Sequence, residues 1–256
     1  MKSVGIVLAA GGGTRMNTDT PKQYMDICGV PMVCHSLRAM EESDVDEVVL
    51  VVPMGDVVSA MTDIVEAYGF DKVTAVCEGG SERYFSVYNG LENCECEEDD
   101  IVLIHDCARP MVTPELINSM IEGTVRYGAC SPAVAVKDTI RYTDAQGYAG
   151  ETLDRSQLVA MQTPQTFRYG ICMGAYEAFA KGDIDRTGTT DDVQVVERMT
   201  GVKSMMLPGD YRNIKVTTPE DVLIAEAYLM DRKKRIEAKA AETGMVLEGQ
   251  LPSAAT

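Results

Sequence analysis

The sequence predicts an α/β fold: a Rossmann-like, mostly parallel twisted sheet flanked by helices. Three observations predict it. Short, almost unbroken apolar runs recur at residues 3–9, 47–52 and 101–104, as in strands covered on both faces. Segments of helical spacing separate these runs, which is the rhythm of βαβ units. The first run ends in the glycine-rich turn Gly11-Gly12-Gly13.

The elements follow in order. Residues 3–9 (SVGIVLA) form a central strand, and Pro31 opens a helix through Glu42. Residues 47–52 (EVVLVV) form a second buried strand, stopped by Pro53. Residues 57–68 have helical spacing and 72–76 form a third strand. Ser81 caps a helix through Leu91, with Tyr84, Val87, Tyr88 and Leu91 on one face. Residues 92–100 make an acidic, solvated loop, and 101–104 a short strand. Thr113-Pro114 starts a helix with proline at its first position; Leu116, Ile117, Met120, Ile121 and Val125 form its buried stripe. The rhythm breaks after Ala129. Residues 131–136 can be a strand. Residues 137–160 are polar and weakly periodic, either a long loop or an excursion from the sheet such as a β-arm; a segment of that length inside a compact domain tends to be functional. Helices resume at 169–181 and 191–199, and 202–207 and 213–216 are short strands. Thr218-Pro219-Glu220-Asp221 caps a helix through Leu229 and on towards Ala241. No internal repeat is present. The organisation expected is one domain over residues 1–230, its arm at about 137–160, with 231–256 a helix extension and a disordered tail.

Hydrophobic residues are 45% and charged residues 25% of the 256, enough for a sizeable core. Lys and Arg number 23 against 40 Asp and Glu, a net charge of −17, which disfavours nucleic-acid backbones and anionic membranes as partners. No apolar run approaches the roughly 18 residues of a membrane span, and no cleavage-site pattern follows Met1, so neither a membrane helix nor a secretory signal is expected. Eight cysteines are too dilute for a disulfide scaffold; Cys94 and Cys96 are one residue apart, and no C-x-x-C occurs. With two histidines, a zinc cluster has little to draw on. Reduced thiols in a cytoplasmic protein are the expectation.

The first turn carries more. Glycines after a first strand let backbone N–H groups approach an anion closely and form a concave nest. Arg15 and Lys22 follow within eleven residues of Gly11, in a chain otherwise acidic, which suggests a polyphosphate site. A dinucleotide fingerprint is not met, because Met16 stands where a third glycine belongs; a Walker A loop is not met either. On the turn alone, a tight bend with solvated cations remains an alternative.

The run Leu8-Ala9-Ala10-Gly11-Gly12-Gly13-Thr14-Arg15-Met16, followed by Pro21-Lys22-Gln23-Tyr24, resembles the signature of nucleotidyltransferases that join a nucleoside triphosphate to a sugar phosphate. More narrowly it is similar to the 2-C-methyl-D-erythritol 4-phosphate cytidylyltransferase family of the non-mevalonate isoprenoid pathway. The likeness continues in order through Gly80-Ser81-Glu82-Arg83 with Ser86, His105-Asp106-Cys107-Ala108-Arg109-Pro110, Val136-Lys137-Asp138-Thr139, Thr152-Leu153-Asp154-Arg155, Gln162-Thr163-Pro164-Gln165, Thr190-Asp191-Asp192, and residues 213–221. It spans roughly residues 3–230, and matches in the right order multiply its specificity.

The resemblance implies transfer of CMP from CTP to 2-C-methyl-D-erythritol 4-phosphate, with pyrophosphate released by in-line attack on the α-phosphorus. Such chemistry needs positioning and neutralisation of charge, not a covalent nucleophile. At about 4 Å and an effective dielectric near 20, each unit-charge pair contributes about 4 kcal/mol before desolvation, so two or three cations plus Mg²⁺ are proportionate. The resemblance assigns Arg15 to the β- and γ-phosphates, Lys22 and Lys215 to the α-phosphate, and the amides of Gly11, Gly12, Gly13 and Thr14 to the phosphate tail. Gly80, Ser81 and Ser86 match its cytosine and ribose contacts, and Ala9 and Ala10 would pack on the nucleoside. Asp106, at the carboxyl end of a strand, is the expected Mg²⁺ ligand and a contact for nucleotide and acceptor. His105 invites a role as general base, but a phosphate monoester is already nucleophilic near pH 7, so orienting backbone is the expected role. Arg109 is expected to pair with an acid such as Asp106 structurally. Asp191 and Asp192 read as capping or hydrogen-bonding groups near the site. Thr139 and Arg155 lie on the segment that the family uses as a β-arm crossing to a second subunit, where they would clamp the acceptor phosphate; a homodimer is thereby implied.

The chain departs from the family at Cys107, where a second alanine is common, and in Val193-Gln194, where Ala-Ser is usual. A sister cytidylyltransferase acting on ribitol 5-phosphate shares the turn, acid and lysine motifs, but residues 152–155 lean away from it. A nucleotide-binding regulator without catalysis is disfavoured by the presence of Arg15, Lys22, Asp106 and Lys215, and a nicotinamide-dependent dehydrogenase by the missing third glycine.

Overall fold

The computed structural model describes residues 1–11, 21–182 and 184–243. The first strand, β1 (Ser3–Leu8), is buried throughout, and its side chains alternate between two cores. Val7 faces one, while Val4, Ile6 and Leu8 face the other, as the two-residue period of a strand requires. A small hairpin follows the first loop: β2 (Asp26–Ile27) and β3 (Val30–Pro31) pair antiparallel through Cys28 and Gly29, both at positive φ. It was not anticipated, because two-residue strands leave no periodicity to read. Helix α1 (Met32–Glu41) returns the chain to β4 (Glu47–Val52). The next helical stretch begins as α2 (Val57–Ser59) and continues as a π-helix over Ala60–Glu66 before reaching β5 (Val73–Glu78).

Helix α3 (Arg83–Glu92) buries Val87, Tyr88 and Leu91 as the spacing predicts. Its N-cap is Glu82 with no side-chain bond, so Ser81 is not the cap expected of it; the loop begins the helix two residues later. Strand β6 (Ile101–Asp106) runs two residues beyond the apolar run and carries His105 and Asp106 within it. Helix α4 (Pro114–Tyr127) is capped by Thr113, whose hydroxyl accepts from the Leu116 amide. Its buried face is Ile117, Met120 and Thr124; Val125 is turned out to solvent, one residue off that stripe.

Strand β7 (Ala129–Ala135) leads into the irregular segment. There β8 (Arg141–Thr143) and β9 (Ala149–Thr152) form a separate antiparallel hairpin with every residue exposed, so the excursion is a β-arm and not a plain loop. The chain returns through β10 (Val159–Met161) and β11 (Gln165–Arg168), then α5 (Tyr169–Lys181) and α6 (Asp192–Thr200), whose N-cap Asp191 accepts from the Gln194 amide. Strand β12 (Met205–Pro208) closes the sheet, and α7 (Pro219–Thr243) ends the described chain. Residues 213–216 are not a strand. They are held instead by Val216 N–H to the Ala108 carbonyl and by side chains described below.

The eight-stranded sheet runs β10-β7-β11-β6-β1-β4-β5, with β12 on β7. β1, β4, β5 and β6 are mutually parallel; β10 and β11 are antiparallel to their neighbours. Helices α1 and α4 cover one face, and α3, α5 and α6 the other. Because β4 and β5 succeed β1 on one side and β6 lies on the other, the order of strands reverses between β1 and β6. Ligand crevices of open α/β sheets form outside the carboxyl ends of strands at such a reversal. No helix among the described residues is long and apolar enough to cross a membrane.

Candidate active site

A cleft of about 350 Å³ opens at this reversal point, in the size range of small-ligand sites. Leu8, Ala9, Ala10 and Gly11 bring the end of β1 to it; Asp106, Cys107 and Ala108 bring the end of β6. Gly80, Ser81, Glu82, Arg83 and Ser86 from one loop and helix start, and Lys22, Gln23, Lys215 and Thr217 from two further segments, complete the lining. The fold thus gathers Ala9, Ala10, Gly11, Lys22, Gly80, Ser81, Ser86, Asp106 and Lys215. Gly12, Gly13, Thr14 and Arg15 lie outside the described residues. Thr139 and Arg155 do not line the cleft of their own chain: both are exposed on the arm, where Arg155 Nη1 donates to the Lys137 carbonyl at 2.8 Å.

Each wall has a local cause. Lys22 opens a 3₁₀ turn (Lys22–Tyr24), tethered to α2 by Tyr24 Oη donating to Asp56 at 3.1 Å. After β5, Gly79 sits so close to Ala10 and the Ser86 hydroxyl that a Cβ there would collide with both, and a Cβ on Gly80 would meet Phe85. These two glycines let the loop approach the end of β1. Ser86 Oγ accepts from the Gly80 amide at 3.1 Å and donates to the Glu82 carbonyl at 3.3 Å, which holds that loop in shape.

Lys215 lies in the segment without ladder bonds, yet its place is well determined. Arg109 donates from Nη1 to the Asn213 carbonyl at 2.8 Å and from Nη2 to the Met161 carbonyl at 3.2 Å. Asn213 Nδ2 donates to the Thr163 carbonyl at 2.9 Å, and Gln162 Nε2 to the Asp210 carbonyl at 2.8 Å. Arg109 therefore does not pair with Asp106 as expected; it clamps backbone two residues before Lys215.

The centre is Asp106, nearly buried. Its Oδ2 accepts from Lys215 Nζ at 2.6 Å and its Oδ1 from Arg83 Nε at 3.1 Å. Burial works to raise this carboxyl, but the Arg83 guanidinium and then the Lys215 ammonium outweigh it and hold the group well below the usual carboxylate range. Asp106 is ionised at any working pH. His105 beside it is fully buried and faces away from the cleft; its Nδ1 bonds the Thr163 hydroxyl at 3.0 Å, which in turn accepts from the Asp106 amide. Burial pushes the imidazole down to about 4. It orients backbone and is not placed to take a proton from a ligand. The Cys107 thiol is pushed up to about 12 by burial and is no nucleophile. Arg83 is the cleft residue that motif reading left without a role: it lay inside Gly80-Ser81-Glu82-Arg83, but its acidic partners are remote in sequence.

A magnesium ion would find one built ligand here. No group of three His, Cys, Asp or Glu among the described residues could hold a metal. Asp106 keeps a lone pair on each oxygen beyond the cation it already meets. One carboxylate suits a hard cation that brings phosphate oxygens and water with it, and does not suit a resident metal. The arrangement can bind an anionic ligand between Lys22 and Lys215 with a purine- or pyrimidine-sized group against Ala9, Ala10 and the glycine loop.

Comparison with known proteins fits that chemistry. The family model for 2-C-methyl-D-erythritol 4-phosphate cytidylyltransferase matches residues 4–231. A protein of that name from Lachnoclostridium phytofermentans is 41% identical over 232 residues, 91% of this chain and 98% of the relative. Another from Pelotomaculum thermopropionicum is 42% identical, covering 92% of this chain and 97% of the relative. The crystal structure of 4-diphosphocytidyl-2C-methyl-D-erythritol synthase from Anaerococcus prevotii superposes with a TM-score of 0.76 at 30% identity, over 90% of this chain and 96% of that one. The Thermus thermophilus 2-C-methyl-D-erythritol 4-phosphate cytidylyltransferase gives 0.69 at 30% identity, over 89% and 98%.

Proposed function

The chain belongs to the 2-C-methyl-D-erythritol 4-phosphate cytidylyltransferase family, an enzyme family of non-mevalonate isoprenoid synthesis, and from that premise we propose how its cleft transfers CMP from CTP to 2-C-methyl-D-erythritol 4-phosphate. One observation carries the reading: Lys22 and Lys215, from opposite ends of the chain, line one cleft with the ionised Asp106 between strand ends. Lys215 exchanges its bond to Asp106 for an α-phosphate oxygen when the nucleotide enters, and Lys22 takes the phosphate from the other side. Arg15 meets the β- and γ-phosphates, and the amides of Gly11, Gly12, Gly13 and Thr14 cradle them. Ala9 and Ala10 support the nucleoside, with Gly80, Ser81 and Ser86 at base and ribose. The acceptor phosphate, a dianion near neutral pH, attacks in line without a protein base, consistent with a buried, neutral His105. Asp106, with phosphate oxygens of the nucleotide, would hold a Mg²⁺ ion, which would supply neutralisation of charge on the leaving pyrophosphate.

Thr139 and Arg155 complete the acceptor site of a second copy. What supports this is their exposure at the base of the arm's hairpin, neither lining the cleft among the described residues, with exposed Ile140, Tyr142, Tyr148 and Val159 nearby in the arm. The working form is then a homodimer, and its eight free cysteines suit a reducing cytoplasm.

The test is pyrophosphate release at matched enzyme concentration with each acceptor. Methylerythritol phosphate should turn over faster than ribitol 5-phosphate, and Lys22→Ala should cut kcat by about 10²–10³-fold with folding intact. Faster turnover of ribitol 5-phosphate overturns the acceptor, and an active Lys22→Ala enzyme overturns the site.

A further inference from the structure

Behind Asp106 runs a line of polar contacts, from the half-buried Arg83 to the fully buried Asp192 and Tyr176, that the transfer chemistry does not itself demand. Arg83, at the start of α3, divides its guanidinium between two acids. Nη1 and Nη2 donate to Asp192 Oδ1 and Oδ2 at 2.6 and 2.8 Å, a two-pronged grip, and Nε donates to Asp106 Oδ1 at 3.1 Å. Asp192, the first residue of α6, has no exposed surface. Its Oδ1 also accepts from Tyr176 Oη of α5 at 2.5 Å, and its amide donates to Gln165 Oε1 of β11 at 2.9 Å. Neither Asp192 nor Tyr176 lines the cleft. Burying a carboxylate is costly, and well-packed apolar side chains of similar volume serve stability as well or better. What the charged pair adds is direction: the planar fork of an arginine, gripped on its two terminal nitrogens, can present Nε along one line only.

We propose that Asp192 and Tyr176 are positioning residues for the transfer reaction, acting through Arg83 to fix the Asp106 carboxylate and with it the station of Lys215. With Oδ1 held by Arg83, the carboxylate cannot swing after Lys215 when that ammonium turns towards a phosphate, and Oδ2 stays directed into the cleft. The inference rests on the cytidylyl-transfer reading above.

The experiment measures kcat, KM for CTP and the thermal unfolding midpoint for Tyr176→Phe, Asp192→Asn, Arg83→Gln and the Arg83→Gln/Asp192→Asn double variant. Tyr176→Phe removes one hydroxyl and leaves the Arg83–Asp192 grip, so it should fold and should lower kcat about threefold to tenfold, with KM for CTP within about twofold. Asp192→Asn should lower kcat about 10²-fold, and should lower it no further when Arg83 is already glutamine, since the effect passes through that residue. If Asp192→Asn fails to fold, Tyr176→Phe decides alone. A Tyr176→Phe enzyme with unchanged kcat overturns the proposal, as does an Asp192→Asn loss of equal size in both backgrounds, which would mark an independent structural role. Failure of the wider reading looks different: the unsubstituted chain would then release no pyrophosphate from CTP with any polyol phosphate, and both would fall.

Discussion

At Asp106 burial and charge oppose each other, and charge wins because two cations face one carboxylate at hydrogen-bond distance. At the two histidines burial outweighs the nearby carboxylates and hydrogen bonds that would favour the charged form. Burial pushes His105 from 6.5 down to about 4, and His35 is lowered by the same cause. The unfolded chain takes up these protons near pH 6.5, whereas the folded chain takes up that of His105 only near 4. The contribution of His105 to stability is therefore complete above about pH 6.5 and is lost as pH falls towards 4, a gap of roughly 3 kcal/mol, and His35 acts in the same direction. The urea midpoint should fall across this window, and His105→Asn should flatten the fall; a midpoint that stays level from neutrality down to acid would sink this account. Residue roles that depend on one neighbour in sequence were legible: Thr113 and Asp191 as caps were read from type and position. Arg83 was not, because Asp192 stands 109 residues away and spacing along a chain carries no angle between remote side chains.

Strands β1, β4 and β6 were legible as apolar runs because both their faces are covered, so burial is written into every position. Strand β11 was hidden: Gln165 and Thr166 are fully buried polar residues whose side chains are satisfied by α6 and α4, and no hydropathy pattern reports that. The segment 213–216 reads as strand but has no ladder partner; its polar groups are tied instead by side-chain bonds, Arg109 to the Asn213 carbonyl and Asn213 to the Thr163 carbonyl, which no hydropathy pattern reports. Helix α3 lies close on β1 because Gly90 faces the strand; a Cβ there would stand 2.6 Å from Ile6 Cγ2 and 3.1 Å from Val51 Cγ2. Both neighbours are in the core and cannot yield freely. Overpacking of this kind costs about 1–3 kcal/mol and exceeds the gain of roughly 1 kcal/mol in helix propensity. Gly90→Ala should lower the thermal midpoint by a few degrees; an unchanged or raised midpoint would show that the helix can move out at no cost.

The whole molecule has a net charge of −17, yet its cleft gathers Lys22, Arg83 and Lys215. Local focusing thus overrides the general repulsion of a polyphosphate. The proposal that another copy's arm completes the acceptor site makes a mixing prediction. Chains bearing Lys22→Ala and chains bearing Arg155→Ala should each be nearly inactive alone. After unfolding and refolding together in equal amounts, they should recover about a quarter of parental activity, because half the dimers are mixed and each mixed dimer has one intact site. No recovery, in mixtures shown by sedimentation to be dimeric, would refute a shared site. The sequence by itself determined the fold class, the buried strands β1, β4 and β6 with the helices that separate them, and the residue types offered for phosphate chemistry, since these follow from local hydrophobic period, turn residues and motif order. Only the tertiary structure decided that Asp106 lies between Arg83 and Lys215, that Arg109 serves the backbone, and that the arm stands clear of its own cleft. Those facts depend on distances between segments far apart in the chain, which the packing of the sheet and its helices sets and no local pattern encodes.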